Sequence, residues 1–122
     1  MAGDLDAFLE AETAASFDWG VRDCWLLPAD WVLARTGRDP AAPWRGRYAS
    51  ALGAMRLINR GGGPEAFAGA RLAACDWVRS TSVRRGQVGL VMAAIETTHG
   101  VRQALVGGIA LGGGWWATGN GT

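Results

Sequence analysis

Among the residues of this 122-residue chain that can do chemistry, Cys24 stands out, in the stretch FDWGVRDCWLLPADWV that runs from Phe17 to Val32. It lies between Asp23 and Trp25, where a loop gives way to an apolar helical pattern. A thiol at a helix start is surrounded by N–H groups without intrahelical partners, which favour the thiolate, the nucleophilic form. Such a nucleophile needs a base to take its proton and a third polar group to orient that base. The only histidine is His99, beside Gly100 in what reads as a loop. The competing reading of Cys24 is a small buried residue, and Cys75 reads as packing. The two cysteines show no CxxC spacing, and with one histidine they do not complete a zinc set. No metal and no cofactor is expected.

The elements that must position Cys24 follow from the apolar spacing. Leu5, Phe8 and Leu9 at i, i+3, i+4 predict a short N-terminal helix. A second helix is expected from about Cys24 to Arg35, with Leu27, Trp31 and Ala34 on one face, Asp23 as its cap and Gly37 as its stop. Pro28 makes its first turn irregular. Asp23 has a second candidate role, holding a neighbouring arginine, but capping accounts better for its place. The punctuated stretch TGRDPAAPWRGRY reads as a loop, in which Arg45, Gly46 and Tyr48 shape the chain after Pro43 rather than contact a ligand. Ser50 caps a third helix that ends at Gly61-Gly62-Gly63, and Pro64 opens a fourth to about Ala74. The period then changes. Residues 87–94 and 104–111 are short apolar runs, expected to pair antiparallel through a loop holding His99, with GGWWAT close behind as a further strand. Helices first and strands second is the α+β order, in one domain spanning 1–122.

Composition narrows the function classes. The net charge is +1, and the twelve basic residues, all arginine, are spread out, so no nucleic-acid surface is expected. No apolar run reaches membrane-spanning length, and the acidic start MAGDLDAFLEAE lacks the regions of a signal peptide, so the chain is expected to be made in a cytosol.

WGVRDC followed by an apolar helix resembles the nucleophile segment of NlpC-type cell-wall peptidases, in which an aromatic-Gly pair precedes an Asp-Cys at the helix start. RRGQVGLV is similar to their next landmark, a Gly-(Asp)-apolar strand, with Gln87 in the acidic place. VGGIALGGG is similar to the following strand, which in that family reads His-Val-Gly-Ile-Tyr-Leu-Gly. A closer resemblance is to small phage and prophage tail-tip proteins related to those peptidases. Their pattern appears here as Phe17, Trp19, Gly20, Asp23, Cys24, Ala29, Asp30, Val32, Thr36, Gly37, Asp39, Pro40, Arg45, Gly46, Tyr48, Gly61 and Gly62. The resemblance is specific over residues 17–63 and weaker over 84–116, and it implies a further strand after the Gly-rich end GNGT.

The resemblance implies an NlpC-like papain fold, with N-terminal helices packed on a small antiparallel sheet and Cys24 at the nucleophile position. It also puts Val106 where those peptidases carry the catalytic histidine, and valine cannot move a proton. Two functions are therefore expected from the sequence. In the first, the protein is a catalytically impaired structural component of a phage or phage-like tail tip. It is assembled in the host cytoplasm against other tail-tip proteins (hub, distal tail or fibre proteins). In the second, it is a cysteine endopeptidase that cleaves peptidoglycan stem peptides, with Cys24 as nucleophile and a displaced His99 as base. The seven tryptophans exceed what a small domain easily hides. Trp115 and Trp116 are expected to touch a partner protein, with strand addition to an open sheet edge as the mode. Neighbours on a strand point to opposite faces, so the pair cannot line one groove together.

Overall fold

Leu5, Phe8 and Leu9 share one helical stripe because the chain coils from Ala2 to Ala14 (α1) and lays that stripe on the core. The computed structural model describes residues 2–97 and 99–117. Three more helices follow: α2 Leu26–Thr36, α3 Ala51–Arg60 and α4 Pro64–Ala73. The strands come last: β1 Val88–Thr97, β2 Gly100–Ala110 and β3 Trp115–Trp116. Over the described residues the fold is α+β, four helices and a three-stranded antiparallel sheet in the order β1-β2-β3.

The helix boundaries have local causes. The Ser50 hydroxyl accepts the Gly53 N–H at 3.0 Å and starts α3. Pro64 opens α4 from its first turn, where a missing N–H costs nothing. Gly37, in the left-handed region at φ 77°, closes α2 by donating to the Leu33 carbonyl at 2.8 Å. Regular α2 begins at Leu26, two residues after Cys24, and it includes Pro28 without a break, because in the first turn no backbone N–H is required.

β1 and β2 form one long hairpin, from Val88↔Ile109 at the buried end to Thr97↔Gly100 at the tip. The pairing is the one the apolar runs predict, but the connection is not a nine-residue loop. The strands run on through Ile95↔Arg102 and Glu96↔Val101, leaving only residues 98 and 99 between them. Backbone pairing runs on beyond the two apolar runs, so those runs understated the strands. At the other end Gly86 and Gln87 together oppose Ala110. The Gly86 N–H donates to the Ala110 carbonyl at 2.9 Å and the Ala110 N–H donates to the Gln87 carbonyl at 2.8 Å. That is a bulge with its glycine at φ 92°, and it bends the entry to β1.

The main core joins the helices to the sheet. Leu5, Leu27, Trp31 and Ile109 are buried together, with Phe8, Leu9, Val88 and Trp116 packed around them. The Trp31 indole N–H donates to the Gly86 carbonyl at 2.7 Å, tying α2 to the bulge. α2 also lies directly on β2 at Gly107. A Cβ there would fall 2.8 Å from the Cys24 carbonyl oxygen and would overlap the Pro28 ring, so only glycine lets the strand come this close.

Candidate functional site

The turn that carries Cys24 is built by Asp23. Its Oδ1 accepts the N–H groups of Trp25 and Leu26, both at 2.9 Å, and its backbone carbonyl accepts Leu27 N–H at 3.0 Å. That is N-cap geometry, extended two residues ahead of regular α2. Oδ2 accepts the Gly20 N–H at 2.8 Å and the Tyr48 hydroxyl at 2.7 Å. The carboxylate is buried, with four donors around it. Of the two roles open to Asp23, capping is the one observed.

The loop before it turns back on itself. Asp18 and Arg22 exchange backbone hydrogen bonds at 2.8 and 2.7 Å. Gly20, at φ 83°, sits so close to the Tyr48 carbonyl that a Cβ would collide with its oxygen, and its own carbonyl accepts Gly46 N–H at 2.9 Å. Farther along, Arg45 holds two acids. Its guanidinium donates to both oxygens of Asp39, at 2.7 and 3.0 Å, and pairs with Asp30 on α2 at 2.7 Å. Arg45 thereby holds the Asp39 carboxyl below its ordinary range, whereas burial pushes that of Asp30 up. Arg45, Gly46 and Tyr48 thus pin the loop between α2 and α3, the structural role expected of them.

Cys24 itself is 1 % exposed. Its buried neighbour is Val106, also 1 % exposed, and Trp19, Trp25, Val91, Ala93 and Ala104 pack around the two. Burial pushes the thiol up to about 12, and the adjacent Asp23 carboxylate adds to the rise. The N–H groups of Cys24 and Trp25 act the other way, as a helix start should, but do not prevail. Both cysteines are free thiols. Near neutral pH Cys24 is a protonated thiol among apolar side chains, a poor nucleophile.

His99 is exposed in the turn at the hairpin tip. Val106 is six residues up β2 from Gly100, which at the rise of an extended strand is about 20 Å. The strand carries the imidazole away from the thiol, and the side chain it brings to Cys24 is valine. Trp115 and Trp116 separate as alternation requires. Trp116 packs on the core with Ile109, whereas the Trp115 ring lies over Gly89 of β1 and is 40 % exposed. Among the described residues no group of three or more His, Cys, Asp or Glu is placed to hold a metal ion.

The structure adds a feature that the sequence reading missed. A groove of about 1000 Å³ separates α3 and α4 from the start of β1, lined by Trp25, Pro28, Trp44, Leu57, Leu90 and Trp115 among others. Cys24 is not among its lining residues. The Trp44–Phe67 stack, centroids 4.3 Å apart, lies in its wall with Arg71 over the Trp44 ring. The sequence offered only one cue to it, an excess of aromatic residues with no periodic place in the helices.

A family model covers nearly the whole of this arrangement, matching residues 2–118. The chain belongs to the DUF6950 family. That family's description is "Domain of unknown function", and the match runs from α1 through β3 as one unit. No curated protein and no solved structure matches the chain.

Proposed function

We propose that the protein is an assembly component of a phage or phage-like tail tip. In this reading it uses an NlpC-like, papain-type scaffold without the hydrolase chemistry. The observation that carries the second half is the pairing of Cys24 with Val106 in a closed apolar cluster. In a cysteine peptidase the side chain facing the thiol accepts its proton. Here that side chain cannot, and the thiol pushed up to about 12 has no route to the thiolate near neutral pH. Support for the tail-tip half is the resemblance over residues 17–63. The motif residues of that stretch do structural work: Asp23 with Tyr48, Gly20 with Gly46, and Arg45 with Asp30 and Asp39. A scaffold kept intact around an inert thiol suits a protein that presents surfaces to neighbours.

Two measurements test the reading separately. Purified protein incubated with cell-wall fragments should release no new stem-peptide ends. Release that disappears in Cys24→Ala would overturn the loss of hydrolysis and restore the peptidase. Mass spectrometry of purified particles from a host carrying the gene should find the chain in the tail fraction, in wild type and in Cys24→Ala alike. Its absence from particles would remove the tail-tip assignment whatever the outcome of the first assay.

A further inference from the structure

We propose that the groove beside β1 is a receptor for one extended segment of a partner protein, which docks as a fourth strand on the outer edge of β1 at Val88–Leu90. Among the described residues β1 pairs with β2 alone, and no described strand lies along its other edge. The hydrogen bonds at the bulge fix which backbone groups point that way. Gln87 bonds across to Ala110, and bonded and non-bonded pairs alternate along an antiparallel ladder. Val88↔Ile109 and Leu90↔Gly107 are therefore non-bonded pairs, and the N–H and C=O groups of Val88 and Leu90 face outward. Among the described residues nothing on the chain bonds to them from that side.

The groove passes this edge. Leu90 pairs with Gly107, which lies over Pro28, so these residues mark the helix-facing side of the sheet. The Trp115 ring covers Gly89 on the opposite side. Residues of both sides line the same groove, so it runs around the outer margin of β1. Its other wall includes Val78, 87 % exposed, and Val83, 59 % exposed. The volume is at the upper end of what ligand pockets span.

The combination selects the occupant. A slot with apolar walls and a row of unpaired amides and carbonyls on one side fits a strand: its backbone meets the amides and its alternate side chains meet the walls. An apolar small molecule would cover the polar row without satisfying it. A second copy of this chain, brought edge to edge, would carry its own segment 77–83 into the same space. The groove makes this demand whatever assembly the protein serves.

The test uses the full chain and a capped heptapeptide of alternating valine and threonine with a lysine tail. Titration followed by amide NMR should give saturable binding at millimolar concentration, with the largest shifts at the Val88 and Leu90 amides and slowed exchange at Leu90. Leu90→Pro removes one outward N–H, at an edge position where proline leaves the ladder to β2 intact. It should weaken binding about tenfold while the thermal midpoint and circular dichroism stay close to wild type. The same peptide N-methylated at alternate residues keeps its side chains and loses donors, and it should weaken binding to the wild-type protein by a similar factor. No saturable binding, or equal binding of the N-methylated peptide, would overturn strand addition. So would a dimer in sedimentation that Leu90→Pro makes monomeric, since the edge would then belong to a second copy.

Discussion

The turn around Cys24 and the margin of β1 differ in how completely their polar groups are used. At the turn, the Asp23 carboxylate meets four donors, Arg45 ties two acids to the loop, and the thiol is sealed under Val106. Among the described residues no buried side-chain nitrogen or oxygen lacks a partner. At the margin of β1, outward backbone groups have no partner among the described residues, and Val78, Val83 and Met92 are exposed beside or along it. The dense motif lies in the first region and almost no motif lies in the second. Recognisable residue patterns here record what holds the loops together. Capacity for a further interaction lies where the pattern is thin.

Substitutions at the turn should break the comparison most severely. Gly20→Ala puts a Cβ onto the Tyr48 carbonyl at a φ of 83°, so a loss of about 4 kcal/mol or more is expected, enough to prevent folding. Urea unfolding measures it, and a loss under about 1 kcal/mol would mean that the turn is not closed as described. Gly107→Ala is next, at about 3 kcal/mol, because the methyl meets Pro28 and the Cys24 carbonyl. The same measurement checks it, and Gly113→Ala, which meets nothing within 4 Å, is its control. Arg45→Ala leaves two half-buried carboxylates without their cation and should cost about 2 kcal/mol. Part of the Arg45 effect should fade below the ordinary aspartate range. The folded-state value of Asp39 is lowered, so its share of stability is present above that range and is lost as pH falls through the lowered value.

The smallest effect concerns Cys24. Its folded value is raised from 9.0 to about 12, so the unfolded chain releases the proton first. The stabilisation is fully present below pH 9.0 and is lost as the pH climbs towards 12. Cys24→Ala should cost about 1–2 kcal/mol at neutral pH through lost packing, and it should flatten that alkaline decline. Thermal midpoints at stepped pH provide the check. A wild-type midpoint that falls no faster than the variant's would show that the thiol titrates normally, reopening the peptidase reading.

The helices were legible because each has a local cause: the Leu5–Phe8–Leu9 stripe, the Ser50 cap, Pro64 at a first position and Gly37 as a stop. The hairpin was legible in its pairing and not in its length, since the pairing continues through Glu96↔Val101, where the apolar runs have given way to mixed residues. Asp23 as a cap was readable from its place before an apolar run. Its bond to Tyr48, 25 positions away, was not, and neither was the clamp of Arg45 on Asp30, because tertiary closure decides which polar groups meet. The approach of Val106 to Cys24 was anticipated only through the resemblance. The groove was illegible, since it is defined by how α3, α4 and β1 fail to close on one another.

The bond from the Trp31 indole to the Gly86 carbonyl spans 55 positions and belongs to the joint between the helices and the sheet. Helices and a hairpin with a two-residue connection form quickly from near neighbours, whereas a contact this distant must first overcome the entropy of closing the chain between them. The joint between the halves should therefore be the last part to consolidate and the first to let go. Native-state hydrogen exchange would register this as a sub-global opening in which the Trp31 indole proton exchanges ahead of the central amides of the β1–β2 hairpin. Equal protection at the two places would mean that the halves rise and fall as one cooperative unit.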